Sequence, residues 1–332
     1  MVRRIAVLTG DNDAPGINGV VRAVTRTALG MGWEVMGVCD GYTGLIDSEF
    51  MPLTARTVDE MNPCESTMLG STGGKRFLME AEQSRVLEQL AAHDIDALIV
   101  VGGDKTQAGA EVLSRLGFPV NGVAASIEND LVGFDMTIGV DTAMNVALDS
   151  IDQLRLTRPE NGTAFIVEVA GRKSGYLALM SGIACNADMI VIPEVEPTLE
   201  QLAGVIDTAY EAGKSHPIIV IAEGANCSVD RVKRYFETDA SPRQKVQVAR
   251  LGYLQRRAAP NAWDRLLGTR LGTCAVDALA RGEYGVLAGW YQGVTRVLPF
   301  VDVVGKANEL DAGLIHLANN LSFSNFVEAQ AP

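Results

Sequence analysis

The sequence predicts an α/β protein built from two Rossmann-like parallel-sheet domains, and three observations carry that prediction. Short apolar runs alternate with longer amphipathic ones over most of the length, the signature of βαβ units and a parallel sheet. A chain of 332 residues exceeds the usual ceiling for a single hydrophobic core, and 47% hydrophobic content can fill two. Three glycine-and-acid turns follow strand-like runs: Thr9-Gly10-Asp11-Asn12-Asp13-Ala14-Pro15-Gly16, Gly102-Gly103-Asp104-Lys105-Thr106 and Ser126-Ile127-Glu128-Asn129-Asp130. In an open parallel sheet such turns gather at the carboxyl edge, where ligands bind.

Taken in order, the apolar runs Ile5–Leu8, Glu34–Val38, Ala97–Val101 and Val120–Val123 read as strands, with helices near Gly19–Leu29 and Ala81–Ala92. The alternation resumes with a helix near Thr142–Leu156, strand Ala164–Val169, helix Gly175–Cys185, strand Met189–Ile192, helix Leu199–Ala212 and strand Pro217–Ala222. So many strands imply a second sheet. Pro15 precedes the first helix, while Gly117 and Gly213 fall just past periodic segments, where helices end. The charged stretch Asn226–Gln247 reads as a surface excursion, and the tail Ser322–Pro332 as frayed.

Composition narrows the function. A net charge of −13 excludes a broad basic surface for nucleic acid or anionic lipid. No run reaches the roughly 18 apolar residues of a membrane span, and Met1-Val2-Arg3-Arg4-Ile5 enters a strand instead of a signal-peptide core, so a cytoplasmic protein is expected. Five scattered cysteines without a CxxC pair argue against a disulfide framework and a zinc site. None of the three histidines sits beside a serine or cysteine in a nucleophile motif. What remains is phosphate chemistry: backbone amides in glycine turns hold phosphate, and Asp104 and Asp130 are candidate ligands for Mg²⁺.

Eight segments in order resemble the 6-phosphofructokinase family in its ATP-dependent and pyrophosphate-dependent branches. They are Ala14-Pro15-Gly16-Ile17-Asn18 with Val21-Arg22-Ala23-Val24, Gly41-Tyr42-Thr43-Gly44-Leu45, Val101-Gly102-Gly103-Asp104, Ile127-Glu128-Asn129-Asp130, Thr137-Ile138-Gly139-Val140-Asp141-Thr142-Ala143, Val167-Glu168-Val169-Ala170-Gly171-Arg172, Ile192-Pro193-Glu194 and Leu251-Gly252-Tyr253-Leu254-Gln255-Arg256. The resemblance implies the phosphofructokinase fold, with a donor-binding domain over 1–139 plus 255–305 and an acceptor-binding domain over 140–254 plus 306–332. It also implies Mg²⁺ and a homo-oligomer, dimer or tetramer.

By the same resemblance, Asn12, Tyr42, Lys75, Arg76, Gly103, Lys105, Thr106 and Gly109 bind the phosphoryl donor, and Asp104 binds the metal. Glu128 stands where the family has its aspartate base, with Asp130 and Arg172 as the other catalytic positions. The extra methylene of Glu128 moves the carboxylate by about 1.5 Å, and misplacement of about 1 Å can cost on the order of 100-fold. Lys105 replaces the residue that separates the ATP and pyrophosphate branches and leaves either donor open, while Ala125, where the pyrophosphate branch has lysine, leans toward ATP. Asp11 brings a carboxylate toward the expected phosphate, or else points away while Asn12 takes the left-handed conformation.

Acceptor recognition falls to Ser126, Glu223, Tyr253 and Arg256, but the two arginines that a neighbouring subunit lends in the family correspond here to Thr163 and Gln247. Losing two guanidiniums removes charge-assisted bonds of roughly 1.5–3 kcal/mol each, so fructose 6-phosphate is expected to bind weakly. The family's bridging arginine falls at Gly73, and Lys75 or Arg76 is the expected substitute. Arg22, Arg26, Arg155, Asp188 and Lys214 match part of the family's effector site. Two readings follow: a phosphotransferase acting on a sugar, sugar phosphate or polyol, or a non-catalytic paralogue that binds metabolites and regulates. A dehydrogenase is excluded because no Gly-x-Gly-x-x-Gly follows the first strand.

Overall fold

The computed structural model describes residues 2–10, 14–62, 67–72, 74, 76–157, 162–238 and 245–321. The chain forms two compact units, residues 1–142 with 256–308 and residues 143–255 with 309–332. The first unit begins with β1 (Arg4–Thr9), α1 (Ile17–Gly30), β2 (Glu34–Val38), α2 (Gly41–Asp47), β3 (Phe50–Pro52), α3 (Ala55–Asp59), α4 (Glu80–Ala92), β4 (Ala97–Gly102), α5 (Asp104–Arg115) and β5 (Val120–Ala124). Helix α6 (Val140–Leu156) carries the chain into the second unit, which contributes β6 (Thr163–Val169), α7 (Tyr176–Ala184), β7 (Met189–Val191), α8 (Leu199–Glu211), β8 (Ile218–Ala222), α9 (Val229–Thr238) and β9 (Lys245–Arg250). Helix α10 (Gly252–Arg257) leads back to α11 (Ala262–Ala280), β10 (Val286–Tyr291), β11 (Val294–Pro299) and α12 (Phe300–Val303), and α13 (Ala312–Leu321) belongs to the second unit.

The first sheet has seven strands in the order β11-β10-β5-β4-β1-β2-β3 and the second four in the order β7-β8-β6-β9. In the first, β1, β2, β4, β5 and β10 run parallel, while β3 and β11 close the two edges antiparallel. Strands β4 and β5 are buried along their whole length, which is why they read as continuous apolar runs and not as alternating ones. The chain leaves β1 toward β2 and returns on its other side at β4, so the sheet's topological switch lies between β1 and β4. There the Gly10 amide donates to Val101 O at 2.9 Å and brings the first two loops to one point of the carboxyl edge. Helix α11 reaches α1 across this sheet by presenting glycines: a Cβ on Gly268 would lie 2.8 Å from Gly16 O and one on Gly272 2.9 Å from Val20 O.

The strand and helix expectations up to Ala222 match the observed elements to within a few residues, but three features differ. The stretch 226–247 is not a simple excursion: α9 buries Val229, Val232 and Phe236, one stripe at helical spacing, against the second core. Its charged outer face hid that stripe. Helix α2 and strand β3 escaped notice because they are short and α2 contains two glycines. Beyond residue 250, α11 and the β10–β11 hairpin complete the first unit. The tail Ser322–Pro332 lies outside the described residues, and among those described no helix is long and apolar enough to cross a membrane.

Candidate active site

Gly103 caps α5 in extended conformation, and Asp104 is the helix's first residue. Its carboxylate Oδ1 accepts the Gly305 amide at 2.8 Å. Lys105 is exposed on the first turn. Thr106, expected to touch the donor, is buried instead: its side chain fills the space against Gly10 and Gly102, where a Cβ would lie 2.0 Å and 2.7 Å from it. Next to it stands a residue the sequence did not single out. The Gln107 carboxamide, fully buried, donates from Nε2 toward Val100 O, Gly102 O and Val123 O at 3.1, 3.0 and 3.1 Å, and so ties the ends of β4 and β5 together.

The loop after β5 is braced more heavily still. Asn129 adopts φ 49°, its Nδ2 donates to Asp135 O at 3.1 Å, and its Oδ1 accepts the Thr137 amide at 3.0 Å. Ser126, whose hydroxyl is expected to meet the acceptor, is 0% exposed. Its Oγ accepts the Glu128 amide at 3.2 Å, and its carbonyl accepts Thr137 Oγ1 at 2.5 Å. With those bonds made, the half-buried carboxylates of Glu128 and Asp130 are what the loop presents. Burial pushes the Asp130 carboxyl above the usual carboxylate range, a hydrogen bond from Ser126 opposes this, and repulsion from Glu128 and Asp104 adds to it. Asp130 Oδ1 is buried without a hydrogen-bond partner among the described residues.

An unsatisfied buried carboxylate oxygen crowded by two other carboxylates is a place where a divalent cation relieves both costs. Among the described residues no three such groups converge on one point. Mg²⁺ in phosphoryl-transfer sites is commonly held by one or two carboxylates together with substrate phosphate, and Asp104 and Asp130 fit that pattern.

Behind the third loop lies an acid the sequence did not mark. Asp264, 0% exposed, accepts the Gly139 amide at 2.8 Å and the Thr142 amide and hydroxyl at 2.8 and 2.5 Å. It fastens the end of the loop to the start of α6. Burial raises its pKa, partly offset by these bonds.

Three residues expected at the donor, Tyr42, Gly109 and Arg76, have partners within the protein. Tyr42 is 1% exposed, stacks on Phe77 at 4.8 Å, and donates to Thr106 O at 2.8 Å. Gly109 leaves room for this ring, since a Cβ there would lie 2.5 Å from the phenol. Tyr42 and Gly109 therefore shape α5 from within the core. Arg76 forms a bidentate pair with Asp47 at 2.8 and 3.2 Å and reaches Glu82 at 3.3 Å, so it is already neutralised locally. Asn12, Asp11, Gly73 and Lys75 lie outside the described residues.

The second sheet collects a different set. Arg172 follows β6 and Glu223 follows β8, and the Glu223 amide donates to Val169 O at 2.9 Å. Arg172 Nε meets Glu223 Oε1 at 3.2 Å on the surface. Tyr253, on α10, is 73% exposed, and Arg256 is half-buried on the same short helix. That helix is anchored by Gln255, 0% exposed, whose Oε1 accepts the Ala170 amide at 2.7 Å and whose Nε2 donates to Ala143 O at 3.0 Å. Thr163 is buried at the start of β6, whereas Gln247 is exposed on β9 at the edge of the sheet.

The Phosphofructokinase family model matches residues 4–279. The chain belongs to this family. An ATP-dependent 6-phosphofructokinase from Streptococcus pneumoniae (strain CGSP14) is 42% identical over 288 residues, covering 87% of this chain and 85% of the relative. Among solved structures, Pichia pastoris phosphofructokinase superposes with a TM-score of 0.86 at 29% identity, covering 98% of this chain and 38% of that one. The Saccharomyces cerevisiae enzyme gives 0.81 at 28%, covering 98% and 49%. This chain thus spans less than half the length of those two. A pyrophosphate-dependent phosphofructokinase from Marinobacter aquaeolei shares the fold with a TM-score of 0.78 at 20% identity, covering 94% and 86%.

The residues matching the family's effector site divide between the units. Arg22 and Arg26 on α1 both pair with Asp59 at the end of α3, Arg22 at 3.6 Å. In the second unit Arg155 donates to Cys185 O, while Lys214 pairs with Asp188, whose Oδ2 accepts the Ile218 amide at 2.8 Å. Each member is met by a local counter-charge or carbonyl.

Proposed function

We propose that this phosphofructokinase-family protein is an ATP-dependent sugar-phosphate kinase, acting on fructose 6-phosphate or a close analogue. The observation that carries the reading is the similarity to relatives named ATP-dependent 6-phosphofructokinase, together with the carboxylates of Asp104, Glu128 and Asp130 on braced loops of one sheet edge. The terminal phosphates meet the amino end of α5, where backbone amides and the helix dipole favour anions, with Lys105 adding charge. Glu128 takes the proton as the acceptor's hydroxyl oxygen attacks the terminal phosphorus and the bond to the departing nucleoside diphosphate breaks. Asp104 and Asp130 would hold Mg²⁺, which supplies charge neutralisation on the transferring group when bound. To the turns after β6 and β8 and to α10 we assign recognition of the acceptor: Arg172 and Arg256 for its anionic groups, Glu223 and Tyr253 for its hydroxyls and ring face. A cytoplasmic homo-oligomer, tetrameric or dimeric, is part of the same reading.

A phosphorus NMR time course with Mg²⁺, fructose 6-phosphate and either ATP or pyrophosphate tests this directly. The expected result is a new phosphate-ester resonance with ATP, lost in Glu128→Ala. Transfer from pyrophosphate alone would overturn the donor assignment. No transfer to phosphorylated or unphosphorylated sugars would overturn the kinase reading in favour of a regulatory subunit.

A further inference from the structure

The segment after α12 touches two of the three catalytic loops. Phe300 and Val303 of α12 are buried at 2% and 0%, the Phe300 amide is fixed to Gly285 O at 2.9 Å, and the Val304 amide to Phe300 O at 2.8 Å. From this rigid origin Gly305 turns with φ 72° and gives its amide to Asp104 Oδ1 at 2.8 Å. Three residues later Asn308 Nδ2 donates to Asn129 O at 2.8 Å. The chain then passes into the second unit.

These two bonds fall at sensitive points. Asn129 O belongs to the peptide joining Asn129 to Asp130, so the bond from Asn308 fixes the plane between the positions of the base and its neighbouring acid. The Asn129 carboxamide cannot do this, because it is spent on Asp135 and Thr137. Gly305, by occupying Oδ1, limits rotation of the Asp104 carboxylate. We infer that Gly305–Asn308 is a strap that positions Asp104 and the Glu128–Asp130 loop for the reaction, with Asn308 as its principal positioning residue. The inference rests on the kinase reading of those acids. It concerns geometry and not binding, so its mark is a loss in kcat with KM preserved.

The test compares Asn308→Ala and Asn308→Leu, which keeps the side chain's shape without its donor, with Asp302→Ala, an exposed residue of α12 outside the strap whose carboxylate makes a weak surface pair with Lys306 at 3.9 Å. In both Asn308 variants kcat should fall about 10- to 100-fold, as expected for a catalytic group displaced by about 1 Å, with KM for both substrates within about threefold. Hydrogen exchange at the amides of residues 128–131 should quicken, while the melting temperature and the activity of Asp302→Ala stay at the parent values. An unchanged kcat overturns the inference, and so does a fall in kcat that merely tracks lost melting temperature. If the parent protein transfers no phosphoryl group, the kinase reading fails separately, and the exchange measurement still decides the strap: unaltered exchange at 128–131 overturns it.

Discussion

At the edge of the first sheet, the side chains that shape the loops are buried: Gln107, Ser126, Asn129 and Asp264 hold backbone groups and Thr106 packs against Gly10 and Gly102, while Asp104, Glu128 and Asp130 are half-buried and Lys105 is exposed. At the edge of the second, Arg172 and Tyr253 stand 65% and 73% exposed, with one surface pair and one anchored short helix to hold them. Chemistry tolerates little positional error, since a reacting group misplaced by about 1 Å can lose on the order of 100-fold. Recognition of a phosphate by flexible arginines tolerates more. Departures from the family pattern occur at both edges: Thr163 and Gln247 stand where the recognising edge has arginines, and Lys105 and Glu128 alter the loops of the edge to which we assign the chemistry.

The largest expected effect is at the chemical edge. Glu128→Gln should lower kcat by about 10²- to 10⁴-fold, the usual contribution of a general base, with little change in KM, as measured by steady-state kinetics. A loss confined to KM would move Glu128 to the recognising side of the comparison.

Next comes the buried support. Asp264→Asn keeps the shape but faces the Thr142 donors with a second donor, and should cost about 2–4 kcal/mol in chemical denaturation. The pH dependence has a definite sign. Burial raises the folded-state pKa of Asp264 above its unfolded value near 3.8, so the parent loses stability as pH rises from there through the folded-state pKa. Its advantage over Asp264→Asn should narrow across that window and then level off. An advantage that widens with pH would show that the hydrogen bonds outweigh burial.

At the recognising edge, Arg172→Ala and Arg256→Ala should each raise KM for the sugar phosphate about 10- to 100-fold, the equivalent of a charge-assisted bond of roughly 1.5–3 kcal/mol, and leave KM for ATP nearly unchanged. Smaller again is Tyr42→Phe. It should lose about 1 kcal/mol of stability with the bond to Thr106 O and leave donor affinity intact; a large rise in KM for ATP would restore the tyrosine to the donor site. Last is Arg76→Ala, an exposed pair whose loss should cost less than about 1 kcal/mol and change activity less than about twofold.

What the sequence made legible was the part governed by local pattern. Apolar runs such as Ala97–Val101 mark buried strands, and a glycine-and-acid turn at the end of one marks a ligand edge, so β1, β4, β5 and their loops were readable. Asp264 and Gln107 were not, because nothing near them in sequence shows that they meet Gly139, Thr142 or the ends of β4 and β5. The internal partners of Tyr42 and Arg76 were hidden for a related reason: a polar tip on a large ring, and a guanidinium beside a glycine loop, look alike whether they face a ligand or an internal partner. Only the positions of Phe77, Gly109 and Asp47 separate those cases.

The threefold passage of the chain between the units also has a consequence in time. Strand β5 is complete at Ala124, but its neighbour β10 and the antiparallel β11 are not finished until Pro299, 175 residues later. At a synthesis rate of roughly 5–20 residues per second, the first sheet waits about 9–35 s with one flank of β5 unpaired and the glycine-matched face of α1 uncovered. The second unit's sheet, encoded without interruption from Thr163 to Arg250, can pair its strands within that interval. During synthesis, the first sheet is therefore the later of the two to close and the one whose open flank is longer exposed to chaperones or aggregation.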